Sequence, residues 1–295
     1  MLRETLKGTG VALVTPFNKD KSIDFAALEN LIDIQIAGGV NYLVSLGTTG
    51  ESVVLSDQEK IEVYNCTVNK VNGRVPIVIG IGGNNTAEVI KSFGKFDLSK
   101  ATAILSVTPY YNKPPQEGLY QHYVALAAAA PKPIILYNVP GRTGCNMTAA
   151  TTLRLAQVPN IAGIKEAGPE MAQSIDILKD RPDHFLVVSG DDEIVMAQIA
   201  CGMDGVISVA ANAFPKQFSD MIHFSMAGDF SKAKQINDLL IEGYTYMYAE
   251  NNPAGIKAFM ANQGVIQNEL RLPLVPVSNG LQQKIDQFLQ HYTSL

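Results

Sequence analysis

The sequence of 295 residues contains few charges, and their balance is slightly acidic. Lys and Arg number 23 against 28 Asp and Glu, which gives a formal net charge of −5 at pH 7. Proteins that bind nucleic acid normally carry a basic excess or a basic stripe, so nucleic acid is excluded as a partner. Charged residues make up only 17% of the chain, against roughly 25% in typical soluble domains. We therefore expect part of the surface to be buried against other copies of the chain.

Cysteine and long hydrophobic segments are also scarce. The three cysteines, Cys66, Cys145 and Cys201, are too few for a disulfide scaffold and suit a reducing compartment. Residues 1–8 lack the apolar core of a signal peptide, and no run approaches the ~18 uncharged apolar residues of a membrane span. The sequence therefore predicts a cytoplasmic protein that has no membrane partner.

Short apolar runs alternate with longer amphipathic segments along most of the chain. The runs begin near residues 9, 40, 75, 102, 133, 161, 185 and 205. Each interval between them has room for one strand, one helix and two short loops. Strands that are apolar throughout are typical of a parallel sheet buried on both faces. Eight strands alternating with eight helices predict an α/β fold, the (β/α)8 TIM barrel.

The chain beyond this pattern contains no strand signal. Three further helices are predicted there, over residues 231–248, 253–262 and 279–291. We therefore expect a catalytic barrel in residues 1–230 and a C-terminal three-helix appendix in residues 231–295. The alternative is a doubly wound open sheet, which normally has fewer strands and a glycine-containing phosphate loop after the first strand. Residues 16–19, Pro-Phe-Asn-Lys, lack that glycine.

Polar residues gather where the predicted strands end, which is where such barrels place their reacting groups. Thr48 and Thr49 follow the second strand, Tyr137 ends the fifth, Arg142 comes shortly after it, and Lys165 ends the sixth. No pair of His or Cys joins them, so no metal site is predicted.

Lys165 is the sharpest chemical signal, because it follows the apolar run Ile-Ala-Gly-Ile on a strand that should be buried. An amine in apolar surroundings loses hydration of its charged form, and a free amine attacks carbonyl carbons to form an imine. The alternative is a lysine that extends its charge from a strand end to solvent. Tyr137 would move protons at the imine, while Arg142 and the hydroxyls and backbone N–H groups near Thr48 and Thr49 suit carboxylates.

Four segments together resemble one enzyme family. They are Gly47-Thr48-Thr49-Gly50-Glu51, Tyr110-Tyr111-Asn112-Lys113-Pro114, the stretch from Tyr137 to Gly144 with its Gly-Arg-Thr-Gly, and Gly163-Ile164-Lys165-Glu166. Nearly the whole chain is similar to the dihydrodipicolinate synthase family of the pyruvate-dependent, N-acetylneuraminate-lyase-like class I aldolases. The resemblance implies a lyase that condenses pyruvate with L-aspartate 4-semialdehyde through a lysine Schiff base, without a cofactor. This reaction is the first committed step of diaminopimelate and lysine biosynthesis.

The resemblance also implies a role for each matching position. The imine forms on Lys165, and the proton relay consists of Tyr137, Thr48 and Tyr111. Tyr111 would come from a neighbouring subunit in a homo-oligomer, expected to be a dimer of dimers. The implied substrate-binding residues are Thr49 for the pyruvate carboxylate, Arg142 for the semialdehyde carboxylate, and Gly190 and Ile207 along the pyruvate pocket.

Family members are often inhibited by lysine in a cleft at the dimer interface. The positions that match this candidate allosteric site are Ser52, Asn84, Glu88 and Tyr110. Asp57 and Lys60 stand where lysine-sensitive bacterial members often carry histidines, so the sequence leaves lysine inhibition open. A further departure is Gly255, where the family usually has a second proline. Because residues 252–257 lie in the predicted helical tail, they are not expected to touch the chemistry.

Two other functions stay open at this point. One is a related aldolase that cleaves N-acetylneuraminate or a 2-keto-3-deoxy sugar acid. Arg142 argues against it, because a sugar substrate calls for polyol contacts in that loop. The other is an inactive barrel that binds a small acid as a regulator, and the intact set of Lys165, Tyr137 and Thr48 argues against that.

Overall fold

The computed structural model describes residues 1–293, and eight parallel strands in it close into a barrel. The strands are β1 (Gly8–Ala12), β2 (Tyr42–Ser45), β3 (Ile77–Gly80), β4 (Ala103–Val107), β5 (Ile134–Asn138), β6 (Ile161–Glu166), β7 (Leu186–Ser189) and β8 (Gly205–Ser208). Each strand pairs with the next in sequence, and β8 returns to β1 with Ile207 opposite Gly10. The predicted TIM barrel is therefore confirmed, and an open sheet is excluded.

One short helix, α1 (Leu2–Thr5), precedes β1, and the other helices follow the strands and pack around the barrel. These are α2 (Phe25–Ala37), α3 (Asp57–Val71), α4 (Thr86–Phe93), α5 (Gln116–Ala129), α6 (Pro140–Thr143), α7 (Ala149–Leu155), α8 (Met171–Asp180), α9 (Val195–Ala200) and α10 (Pro215–Met226). The short helices α1 and α6 were not predicted from the sequence. The start of α3 shows how local sequence sets a boundary. The Ser56 hydroxyl accepts the Glu59 N–H at 3.2 Å, and the Glu59 carboxylate accepts the Ser56 N–H at 2.8 Å.

Alternate residues of each strand face opposite sides of the sheet, and this decides what enters the barrel. On β5, Ile135 and Tyr137 belong to the apolar cluster inside the barrel, whereas Ile134 and Leu136 pack in the layer beneath the helices. On β6, Ile164 also packs in that outer layer. The next side chain along β6, that of Lys165, is therefore directed into the barrel at its carboxyl end.

The C-terminal region consists of α11 (Phe230–Tyr248), α12 (Ala254–Asn262) and α13 (Asn279–Thr293). Helix α11 packs against α9 and α10, and both α12 and α13 pack on α11. Aromatic rings join this region to the barrel, where the Phe214 ring centroid lies 6.0 Å from that of Phe259 and 6.3 Å from that of Phe288. The predicted division of the chain into residues 1–230 and 231–295 stays a prediction. The last two residues, 294 and 295, lie outside the described part of the chain. Within residues 1–293, no helix is both long and apolar enough to cross a membrane.

Candidate active site

A cavity of about 240 Å³ opens at the carboxyl ends of the strands. The structure brings together there six residues that were singled out in the sequence: Thr48, Thr49, Tyr137, Arg142, Lys165 and Gly190. They follow or end β2, β5, β6 and β7. The last three strands are paired neighbours, and the closed barrel brings the loop after β2 to them. Ala12, Val44 and Leu105 supply an apolar wall to the same cavity.

Lys165 is buried in this cavity, with 5% of its surface exposed. It lies directly opposite Tyr137 in the register of β5 and β6, and its Nζ is 4.6 Å from the centre of the Tyr137 ring. Among the described residues no carboxylate forms an ion pair with it. An amine that has apolar walls, an adjacent phenol and no paired acid is well placed to attack a carbonyl carbon.

Gly190 leaves the space that the Lys165 side chain occupies. A Cβ atom at this position would lie 2.8 Å from Lys165 Cε and 2.6 Å from Ala167 Cβ, closer than real Cβ contacts. Ile207 was expected beside it, but the structure places Ile207 on β8 in the apolar interior, 1% exposed and not among the residues that line the cavity.

The loop after β2 forms a compact structure that we call the threonine turn (residues 47–51). Backbone hydrogen bonds close it, from Gly50 N to Gly47 O at 3.1 Å and from Glu51 N to Thr48 O at 3.0 Å. Glu51 adopts a left-handed conformation with φ of 51°. Thr48 is exposed at the cavity, whereas Thr49 is 2% exposed.

A buried ion pair lies behind the threonine turn. The Glu51 carboxylate contacts Lys257 Nζ on α12 at 2.5 Å, and both side chains are fully buried. Lys257 also donates to Glu269 O at 2.9 Å, and Glu51 accepts the Arg271 N–H at 3.1 Å. Burial lowers the pKa of Lys257 to about 8, against the opposing effect of Glu51. The C-terminal region thus anchors a loop of the barrel.

The expectation that residues 252–257 do not touch the chemistry is wrong. After α11 the chain returns across the carboxyl end of the barrel, where Tyr248 and Asn252 line the cavity. Asn252 Nδ2 donates to Thr49 Oγ1 at 3.0 Å, and the Arg142 guanidinium donates to Asn252 O at 3.1 Å. No sequence signal identified these two residues, because their contacts depend on where α11 packs.

Carboxylates line another part of the same cavity. Asp191 and Glu193 belong to its wall, and burial together with the negative charge of Asp191 raises the pKa of Glu193. Asp192 points away into the protein, where it accepts the Val209 and Ala210 N–H groups and the Tyr248 hydroxyl at 2.8–3.1 Å. Burial raises the pKa of the Asp192 carboxyl.

Tyr111 is not brought to the cavity of its own chain. It lies on the loop after β4, where it is 89% exposed and has φ of 73°. This predicted site residue therefore stays a prediction.

A second cavity of about 520 Å³ adjoins the first and shares Thr48, Tyr137 and Arg142 with it. Two of the candidate allosteric residues, Ser52 and Tyr110, line this second cavity, as do Asp57 and Lys60. The other two allosteric candidates are not among its lining residues. Asn84 Nδ2 donates to Tyr110 O at 3.2 Å, and Glu88 pairs with Lys91 at 2.7 Å on the surface of α4.

The charges around this second cavity are partly balanced. Asp57 contacts Lys95 at 2.7 Å and Lys60 at 3.9 Å, so the cation at position 60 is not isolated.

Within residues 1–293, no group of three or more His, Cys, Asp or Glu side chains is arranged to hold a metal ion.

Similarity to known proteins covers almost the entire chain. The model of the dihydrodipicolinate synthetase family matches residues 5–292. The 4-hydroxy-tetrahydrodipicolinate synthase of Parabacteroides distasonis is 48% identical over 286 residues, which are 97% of this chain and 96% of that protein.

Two solved structures are also similar. The chloride-inhibited dihydrodipicolinate synthase from Acinetobacter baumannii, complexed with pyruvate, has a TM-score of 0.95 and 39% identity over 99% of this chain and 100% of that one. The enzyme from Cyanidioschyzon merolae with lysine bound has a TM-score of 0.93 and 34% identity, and 99% of each chain is covered.

Proposed function

This chain belongs to the dihydrodipicolinate synthetase family, and we propose that it performs the family's condensation through an imine on Lys165. It is an enzyme, a lyase with 4-hydroxy-tetrahydrodipicolinate synthase activity, on the route to diaminopimelate and lysine. Its substrates are pyruvate and L-aspartate 4-semialdehyde. The observation that carries the proposal is the buried, unpaired amine of Lys165 beside Tyr137 in the cavity at the end of the barrel.

The proposed reaction begins when Lys165 Nζ attacks the carbonyl carbon of pyruvate and water leaves. Loss of a methyl proton from the imine gives an enamine, whose carbon bonds to the aldehyde carbon of the semialdehyde. The amino group of the semialdehyde then attacks the imine carbon, closes the ring and expels Lys165. The protonated imine accepts the electron pair of the methyl C–H bond, and the enamine then donates it to the aldehyde carbon, whose oxygen takes up a proton. The imine itself is therefore the electron sink, and the proposed reaction calls for no cofactor.

The cavity supplies groups for the proton transfers. Tyr137 lies against the amine, and Thr48 lines the same cavity. Tyr111 would complete the relay from a neighbouring subunit. Its exposure on the rim loop supports this role, because the side chain is free to enter a partner. We therefore propose a homo-oligomer, a dimer of dimers, in which Tyr111 of the partner subunit reaches the second cavity.

The charged groups of the cavity fit the two proposed substrates. Thr49 would bind the pyruvate carboxylate beside Gly190, with Ile207 contributing from the apolar interior of the barrel. Arg142 would bind the carboxylate of the semialdehyde at the cavity mouth. Asp191 and Glu193 offer negative charge to the ammonium group that only the semialdehyde carries. A guanidinium and two carboxylates around one cavity suit an amino acid better than an uncharged polyol.

We further propose that lysine binds at the edge of the second cavity, between Ser52 and Tyr110, which line it, and Asn84 and Glu88, which lie outside its lining. Asn84 joins the loop of Tyr110 by a hydrogen bond, and the Cyanidioschyzon merolae relative was solved with lysine bound. Glu88 would have to exchange Lys91 for the amine of the effector. We propose the cytoplasm as the site of the reaction.

A turnover assay with pyruvate and a choice of partner tests the function. We expect product only with L-aspartate 4-semialdehyde, and none with N-acetylmannosamine or with sugar-derived aldehydes. Activity confined to the sugar substrates would overturn the assignment. Adding lysine to the same assay tests the effector proposal, which fails if the rate with lysine equals the rate without it.

A further inference from the structure

Asn252 lies outside the barrel strands, yet it contacts two of the proposed substrate-binding residues at once. Its side-chain Nδ2 donates to Thr49 Oγ1 at 3.0 Å, and its backbone oxygen accepts from Arg142 at 3.1 Å. The residue itself is 5% exposed. One buried residue thus contacts both of the proposed carboxylate-binding residues.

The contact to Thr49 fixes the direction in which that hydroxyl can donate. A threonine hydroxyl has one proton and two lone pairs. When a lone pair accepts the Asn252 N–H, the proton is left for another acceptor. No acceptor for it occurs among the described residues, and Thr49 lines the cavity. The hydroxyl proton is therefore available to a ligand.

The Asn252 side chain keeps this orientation although its own oxygen gains nothing from it. Asn252 Oδ1 is buried and has no hydrogen-bond partner among the described residues. An unpaired buried acceptor is costly, so its presence calls for a compensating contact elsewhere in the residue. Two hydrogen bonds therefore hold Asn252 in place, the one from its Nδ2 to Thr49 and the one that its backbone oxygen accepts from Arg142.

We propose that Asn252 is a positioning residue that orients the Thr49 hydroxyl as a donor to the pyruvate carboxylate and independently steadies Arg142 through its backbone oxygen. The proposal rests on the proposed function, because it assumes that Thr49 receives pyruvate. The two contacts can be tested separately, because a substitution of the Asn252 side chain removes the hydrogen bond to Thr49 and keeps the backbone hydrogen bond from Arg142.

Asn252→Asp is the decisive variant. Aspartate has the same shape but no N–H, so it accepts the Thr49 proton and turns the hydroxyl away from the ligand. We expect kcat/KM for pyruvate to fall roughly 10- to 100-fold, the loss typical of one hydrogen bond to a charged group. Because the backbone oxygen is unchanged, kcat/KM for the semialdehyde should stay within about threefold.

Asn252→Ala gives a second measure without the added charge. It should lower kcat/KM for pyruvate roughly two- to tenfold, and it should have no further effect in a Thr49→Val background, where no hydroxyl remains to be oriented. The matched control is Asn251→Asp, the same change at the exposed neighbouring position, which should leave both constants unchanged.

Equal losses for both substrates, or additive effects of Asn252→Ala and Thr49→Val, would overturn the proposal. Failure of both Asn252 variants to fold would also overturn it, because the residue would then serve the fold. Borohydride trapping of pyruvate on the wild-type enzyme is run alongside. If the wild type traps no pyruvate, the proposed function fails. If the wild type traps pyruvate and the Asn252 variants have the same kcat/KM values as the wild type, only the positioning role is refuted.

Discussion

Replacing Lys257 with methionine tests how far the threonine turn depends on the ion pair behind it. Methionine keeps most of the volume and the apolar stem, and removes the charge. Among the described residues, the Glu51 carboxylate then keeps one hydrogen-bond donor, the backbone N–H of Arg271 at 3.1 Å, and it stays fully buried. Removing one member of a buried pair typically costs about 3–5 kcal/mol, because the other charge is left uncompensated.

We therefore expect Lys257→Met to lower the free energy of unfolding by about 3–5 kcal/mol in urea denaturation. The double variant Glu51→Gln/Lys257→Met should recover about half or more of that loss, because the stranded charge is gone. We expect kcat/KM for pyruvate to follow the same order as stability, highest in the wild type, lower in the double variant and lowest in Lys257→Met. The exposed pair of Lys216 and Asp220 supplies the control, and Lys216→Met should cause no measurable change.

Either of two results would refute this dependence of the threonine turn on the ion pair. One is a loss below about 1 kcal/mol for Lys257→Met, which would mean that the buried carboxylate does not need its cation. The other is a double variant less stable than the single one, which would mean that the loss comes from packing.

Three further predictions address other parts of the molecule. Burial lowers the pKa of His122 to about 4, so the unfolded chain binds a proton first as the pH falls from about 6.5. Urea denaturation should therefore show a loss of about 1–2 kcal/mol between pH 7 and pH 5 that is absent in His122→Gln, and an unchanged pH dependence in the variant would contradict this. The ion pair with Arg271 lowers the pKa of Glu59 to about 2, so its stabilisation is complete above about pH 4.5 and is lost toward pH 2. The difference in Tm between wild type and Glu59→Gln should shrink from pH 6 to pH 3, and a constant difference would refute the assignment. Gly190→Ala should displace Lys165 and slow pyruvate trapping roughly tenfold or more, whereas wild-type trapping rates would show that the close contact at Cε is relieved harmlessly.

The sequence predicted the barrel and the residues at its strand ends because both follow from local signals. Buried parallel strands are apolar throughout, and a polar side chain at the end of such a run stands out, as Lys165 does after Ile164. Pairing of β5 with β6 then brings Tyr137 and Lys165 together, because the two residues lie opposite each other in its register. The capping box at Ser56 is equally local, since both partners lie within one turn.

Contacts between distant parts of the chain could not be predicted in this way. Asn252 meets Thr49 across 203 residues, and Lys257 meets Glu51 across 206. Both contacts depend on the path of α11 along α10, which an amphipathic pattern does not specify. The exposed position of Tyr111 raises a similar difficulty, because its expected partner lies on another chain.

Reductive trapping tests the central claim, imine formation on Lys165, most directly. The enzyme is incubated with pyruvate and borohydride, digested and analysed by mass spectrometry, with Lys165→Ala treated in parallel. We predict one reduced pyruvyl adduct, located on Lys165 and absent from the variant. An adduct on another lysine, an adduct that persists in Lys165→Ala, or no adduct in an enzyme that still turns over would contradict the claim.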